Sequence, residues 1–138
     1  MEGLRVTDIG VIGGAGYVGL VTGVGLAALG HRVIAEDIDQ RRLEMLRAGK
    51  SAVYEDGLEA ILGELIEMGQ ISFTDDLSET VRGSEVLFIA VGTPSLADGA
   101  ADLSAVISVA EQLRDEIDRY TVIVVKSTVP VGTIEVVN

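Results

Sequence analysis

Short aliphatic runs alternate along this chain with longer stretches whose apolar residues recur every three or four positions. The runs over 9–13, 32–37, 71–74, 85–91 and 120–125 read as strands. Between them, 17–29, 39–48, 58–68, 77–82 and 103–117 read as helices. In the third of these, Leu58, Ile61, Leu62, Leu65 and Ile66 share one face. The punctuation agrees. Gly30, Gly49, Gly69 and Gly83 follow helix ends, and Asp39 and Asp102 precede helix starts as caps. Strictly alternating strands and helices predict an α/β fold, a doubly wound, Rossmann-like parallel sheet covered on both faces. Right-handed crossovers and a ligand site after the first strand imply the order 3-2-1-4-5.

The first strand breaks into glycines at the spacing Gly14-x-Gly16-x-x-Gly19, and a helix follows at once. Strand, glycine turn and helix together make a cradle for a dinucleotide pyrophosphate. One glycine allows a sharp turn, the next lets the backbone approach the phosphates, and the third lets helix and strand pack closely. The helix N-terminus then presents free N–H groups and a positive dipole end to the anion. Such a site needs an acidic residue about 20 positions on, at the end of the second strand, to hold the adenosine ribose. Asp37 follows Gly14 by 23 positions. Asp37 and Asp39 would repel a 2′-phosphate and favour NAD over NADP, although Arg41 and Arg42 could accommodate one.

Composition narrows the partners. The 138 residues are 48% apolar but only 4% aromatic, so one domain with a Val, Ile, Leu and Ala core is expected. A net charge of −12 argues against nucleic acid and anionic membrane surfaces. It also requires that an anionic cofactor be drawn in by local groups. No cysteine is present, and His31 is the single histidine, so neither a thiolate nor a histidine-cluster metal site can form. His31 reads as a surface residue before the second strand. No segment approaches the roughly 18 apolar residues of a membrane span, and the first residues carry no signal-peptide pattern, which makes the cytoplasm the default setting.

Six segments together resemble the UDP-glucose/GDP-mannose dehydrogenase family of nucleotide-sugar dehydrogenases. They are Gly14-Ala15-Gly16-Tyr17-Val18-Gly19-Leu20, Asp37-Ile38-Asp39, Tyr54-Glu55-Asp56-Gly57-Leu58-Glu59, Val91-Gly92-Thr93-Pro94, Asp98-Gly99-Ala100-Ala101-Asp102-Leu103-Ser104, and Lys126-Ser127-Thr128-Val129-Pro130-Val131-Gly132-Thr133. They follow the family's order and spacing over almost the whole chain, and the Asp98 to Ser104 segment leans toward its UDP-glucose branch. The family oxidises the C6 alcohol of a nucleotide sugar to a carboxylate in two NAD-dependent steps. The resemblance implies that Gly14, Gly16, Tyr17, Val18 and Gly19 hold the pyrophosphate and Asp37 the adenosine ribose. It places Arg42 near the adenosine, and Val91, Gly92 and Thr93 along the cofactor. Thr128 falls by the nicotinamide, with a supporting catalytic role.

Two departures qualify the likeness. Asp56 stands where the family usually has proline. The family's catalytic cysteine and its lysine, asparagine, aspartate and glutamate partners would all lie beyond Asn138, together with the sixth strand and sugar domain. The chain therefore reads as the NAD-binding portion of a longer enzyme, unable to oxidise sugar alone, with an open sheet edge that invites a homo-oligomer. GDP-mannose and UDP-N-acetylmannosamine are alternative substrates. A self-standing nucleotide-binding module, and another dehydrogenase class with a similar first domain, remain open as well. Bland readings also stand beside the functional ones. Arg41 and Arg42 could be solvated helix residues, Asp98 and Asp102 turn and cap residues, Tyr54 a loop anchor, and Asp75-Asp76 the opening of the helix at Leu77.

Overall fold

A computed structural model describes residues 5–127. Five strands, β1 (Asp8–Ile12), β2 (Arg32–Glu36), β3 (Ile71–Thr74), β4 (Val86–Ile89) and β5 (Val122–Val125), form one parallel sheet in the order β3-β2-β1-β4-β5. The helices are α1 (Tyr17–Ala28), α2 (Gln40–Arg47), α3 (Leu58–Glu67), α4 (Leu77–Arg82) and α5 (Ser104–Glu116). The strand order is the one the alternation predicts, and it reverses between β1 and β4. Thr128 lies outside the described residues. Among those residues, no helix is long and apolar enough to cross a membrane.

Each face of the sheet carries its own core. On one, Val11, Val33, Ala35 and Phe73 pack with Leu20, Val24 and Ala27 of α1, Leu43 and Leu46 of α2, and Leu58, Leu62 and Leu65 of α3. On the other, Ile12, Leu87 and Ile89 pack with Val81 of α4 and with Val109 and Leu113 of α5. Alternate residues of one strand point to opposite faces, so Leu87 and Ile89 join one core while Val86 and Phe88 lie against the other. That arrangement explains the continuous aliphatic runs, because a parallel strand has no solvent face.

Local chemistry ends the elements where the punctuation predicts. Asp39 caps α2 by accepting from the Arg42 N–H at 3.1 Å. Asp76 caps α4 through Glu79 N–H at 3.1 Å, which confirms the helix-opening role of the Asp75-Asp76 pair. Asp102 is the exception: α5 starts at Ser104 with Leu103 in the cap position and no side-chain cap. Asp102 instead accepts from the backbone N–H and the hydroxyl of Ser104 in a turn just before it, the hydroxyl bond holding its carboxyl below the usual range. Asp98 closes a turn by accepting from Ala100 N–H. His31 is less bland than expected. It is half-buried, and its Nδ1 accepts from Thr7 N–H at 3.1 Å, tying the turn before β2 to the entry of β1.

Strand β5 closes one edge of the described sheet. Val122 is 41% exposed, and Ile123, Val124 and Val125 are only half-buried. An unpaired apolar edge of this kind can recruit another strand.

Candidate dinucleotide cleft

The cleft opens above the carboxyl ends of β1, β2 and β4, where the strand order reverses. Parallel sheets place their ligands at such a switch point. It encloses about 490 Å³ and is lined by Gly13, Gly16, Tyr17 and Val18 on one side. Asp37, Ile38 and Arg42 form its far end, and Ala90, Val91, Gly92 and Thr93 form the wall after β4. Ala105, Lys126 and Ser127 complete it.

The glycine turn is built differently from its simplest reading. Gly13, one position before the predicted turn glycine, carries the positive φ of +82°. A Cβ there would lie 2.7 Å from the Ala90 carbonyl oxygen. Gly14 is instead a packing glycine, since its Cβ would meet the Ala35 Cβ at 2.6 Å. Gly19 is tighter still, with a Cβ falling 2.1 Å from the Gly13 carbonyl oxygen. Only at Gly16 would an added Cβ meet nothing closer than 3.6 Å. Gly16 lines the cleft, so its missing side chain leaves room for a ligand rather than for protein.

Two carboxyl-end contacts hold this turn in place. The Glu36 carbonyl accepts from both Gly13 N–H (2.9 Å) and Gly14 N–H (2.8 Å). The Asp37 carboxylate accepts from Ala15 N–H at 3.0 Å on one oxygen and from Asp39 N–H at 3.0 Å on the other. Each carboxylate oxygen can accept two hydrogen bonds, so Asp37 keeps one free position per oxygen for hydroxyl donors. Gly16 caps α1 without a side chain. The first-turn N–H groups of Tyr17, Val18 and Gly19 have no acceptor within the helix and face the cleft end of its dipole.

Charge within the cleft differs from that of the whole chain. Arg42 and Lys126 supply two cations against the carboxylate of Asp37. Arg42 Nε sits 3.5 Å from Asp39 Oδ2, and Arg41 is not part of the lining. Behind the cleft, Glu36 is a buried carboxyl at the end of β2. Burial, together with the negative charges of Asp37 and Asp75, pushes it up from 4.5 to about 7. Among the described residues it has no ion-pair partner, and no metal-binding group of His, Cys, Asp and Glu is present.

The residues named from sequence thus separate into two sets. Gly16, Tyr17, Val18, Asp37, Arg42, Val91, Gly92 and Thr93 line one cleft, while Gly14 and Gly19 are buried behind it and shape it. Sequence reasoning missed Gly13, Ile38, Ala105, Lys126 and Ser127. Ile38 had a legible signal, being an apolar residue between two aspartates at a strand end, and it is 89% exposed. Ser127 had none. It reaches the cleft because its hydroxyl donates to the Val91 carbonyl at 2.7 Å, joining the loops after β5 and β4.

Residues 7–138 match the UDP-glucose/GDP-mannose dehydrogenase family, NAD binding domain. The chain belongs to that family. UDP-glucose 6-dehydrogenase from Pseudomonas aeruginosa is 48% identical over 122 residues, covering 88% of this chain and 27% of that protein. A UDP-glucose dehydrogenase structure from Pyrobaculum islandicum superposes with a TM-score of 0.89 at 41% identity, over 99% of this chain and 33% of that one. The ternary complex of GDP-mannose dehydrogenase from Pseudomonas aeruginosa gives 0.86 at 39% identity, over 93% and 30%. The chain spans about a third or less of the length of these dehydrogenases. NAD is the cofactor of this domain family, and the open Gly16 cradle, the unfilled carboxylate positions of Asp37 and the local cations suit it.

Proposed function

We propose that this chain is the NAD-binding portion of a nucleotide-sugar 6-dehydrogenase acting on UDP-glucose. The observation that carries this reading is the union, in one cleft, of a ligand-sized opening at Gly16 with the half-satisfied carboxylate of Asp37. The UDP-glucose preference rests on the similarity to UDP-glucose 6-dehydrogenases, one of them 48% identical, and on the Asp98 to Ser104 segment. A GDP-mannose substrate is the second reading, supported by the similar GDP-mannose dehydrogenase.

In this reading the N–H groups of Tyr17 and Val18 bind the pyrophosphate, and Asp37 receives the adenosine ribose hydroxyls. Ile38 and Arg42 flank the adenine, Val91, Gly92 and Thr93 follow the cofactor toward the nicotinamide, and Thr128 supports the reacting end. Bound NAD supplies the hydride acceptor, and the chain's own residues bind and orient it. Oxidation through a thioester needs a thiolate nucleophile, and these 138 residues include no cysteine. The chain alone is therefore expected to bind NAD but not to form NADH from UDP-glucose.

Titration calorimetry with NAD and NADP tests the binding claim. Saturable heat with NAD and much weaker heat with NADP are expected. The absence of both heat and a thermal shift at millimolar NAD would overturn the proposal. NADH formed from UDP-glucose by this chain alone would overturn the expected inactivity.

A further inference from the structure

Tyr17 is the first residue of α1 and lines the cleft, yet the residue is 55% exposed. What holds it comes from another element. Its hydroxyl donates to Glu55 Oε2 at 3.0 Å, from the connection between α2 and α3. That carboxylate also raises the tyrosine's pKa.

Glu55 is itself well located. Its carbonyl accepts from Leu58 N–H at 3.1 Å, fixing it to the start of α3. Leu58, Leu62 and Leu65 seat α3 in the same core as Leu20 and Val24 of α1. The connection begins and ends at glycines with positive φ, Gly49 at +78° and Gly57 at +77°. Within it, the Ser51 hydroxyl both accepts from Val53 N–H and donates to the Val53 carbonyl. Tyr54, by contrast, is 88% exposed and among the described residues bonds the nearby Asp56, so the connection is anchored by Ser51 rather than by Tyr54. The result is a carboxylate tied to the start of α3 and bonded to a cleft-lining residue of α1.

We propose that Glu55 is a positioning residue for the dinucleotide, holding the Tyr17 ring as a fixed wall beside the α1 N-terminus. This rests on the cleft being the NAD site. A freed ring can rotate across the first-turn N–H groups that receive the pyrophosphate, and restraining it removes that competition. The charge of Glu55 works the other way, because a carboxylate near an anionic cofactor disfavours binding. Position and charge therefore predict opposite outcomes when the carboxylate is lost.

The test compares NAD affinity by titration calorimetry in the wild-type chain and in E55A, E55Q and Y17F, with thermal unfolding as the folding control. One lost hydrogen bond of this kind corresponds to about a three- to tenfold change. E55A and Y17F are expected to bind NAD about three- to tenfold more weakly, and the double variant no worse than either. E55Q keeps an acceptor oxygen without the charge and is expected to bind at least as tightly as wild type. Ultraviolet titration of tyrosinate supplies a separate signature, with one tyrosine ionising at lower pH in E55A than in wild type. E55A binding as tightly as wild type, or tighter, overturns the positioning role while leaving the NAD site intact. A wild-type chain that binds no NAD overturns both.

Discussion

Glu36 is the group whose removal should stabilise this protein, and the effect should depend on pH. Its carboxyl is buried at the end of β2, beside Asp37 and Asp75, and sits near 7 instead of 4.5. Below the ordinary value it is protonated in both the folded and unfolded chain, and its charge costs nothing. As pH rises from 4.5 to about 7 the unfolded chain ionises first while the folded chain holds its proton, so stability falls. Above that window both states are ionised and the whole penalty is present. At about 1.4 kcal/mol per pH unit, the ceiling is about 3.4 kcal/mol. Water reaching the strand end and relaxation of neighbouring carboxylates screen the charge, leaving about 1–2 kcal/mol. E36Q keeps the shape and drops the charge. It is expected to match wild type near pH 5 and to exceed it by about 1–2 kcal/mol at pH 8, or roughly 3–10 °C in melting temperature. Urea unfolding followed by circular dichroism at several pH values between 5.5 and 8.5 reads this directly. Contributions from groups distant from Glu36 are common to both proteins and cancel in the difference. A difference that stays constant with pH would report packing alone, and one that grows toward acid would refute the argument.

Three further outcomes follow from the same geometry. Gly19→Ala drives a Cβ to 2.1 Å from the Gly13 carbonyl oxygen, so it should cost at least about 3 kcal/mol in denaturant unfolding; a well-folded variant of unchanged midpoint would show that the turn gives way easily. Asp37→Ser removes the acceptors for Ala15 N–H and Asp39 N–H together with a negative charge. It should weaken NAD about tenfold or more by calorimetry while narrowing the gap to NADP, and an unchanged NAD to NADP ratio would contradict the ribose assignment. Arg5→Ala breaks the Arg5–Glu85 pair, whose 2.9 Å contact is solvent-exposed, and should shift stability by less than about 1 kcal/mol.

The turn shows where reading the sequence stops. Glycine spacing located the cradle to within one residue, because the requirement for glycine is local. Which glycine turns the chain was not legible, since that depends on β4: the space Gly13 would need for a side chain is filled by the Ala90 carbonyl. Asp37 was legible by its distance from the turn. Its grip on Ala15 N–H was not, because it spans two strands. The Tyr17–Glu55 contact joins residues 38 positions apart, and no periodicity carries that information. Glu36 is the sharpest case. In sequence it was one of two adjacent acids, and only burial separates it from Asp37.

The chain by itself determined the alternation of strands and helices, the sheet order that this alternation and handedness allow, the caps, and the acidic residue at the end of the second strand. These follow from side-chain periodicity and backbone conformational preference, which act over a few residues. Tertiary structure alone decided which glycine bends, which carboxyl is pushed up by burial, and which side chains meet at the cleft. Those depend on space and dielectric, and both are created only when distant segments pack against each other.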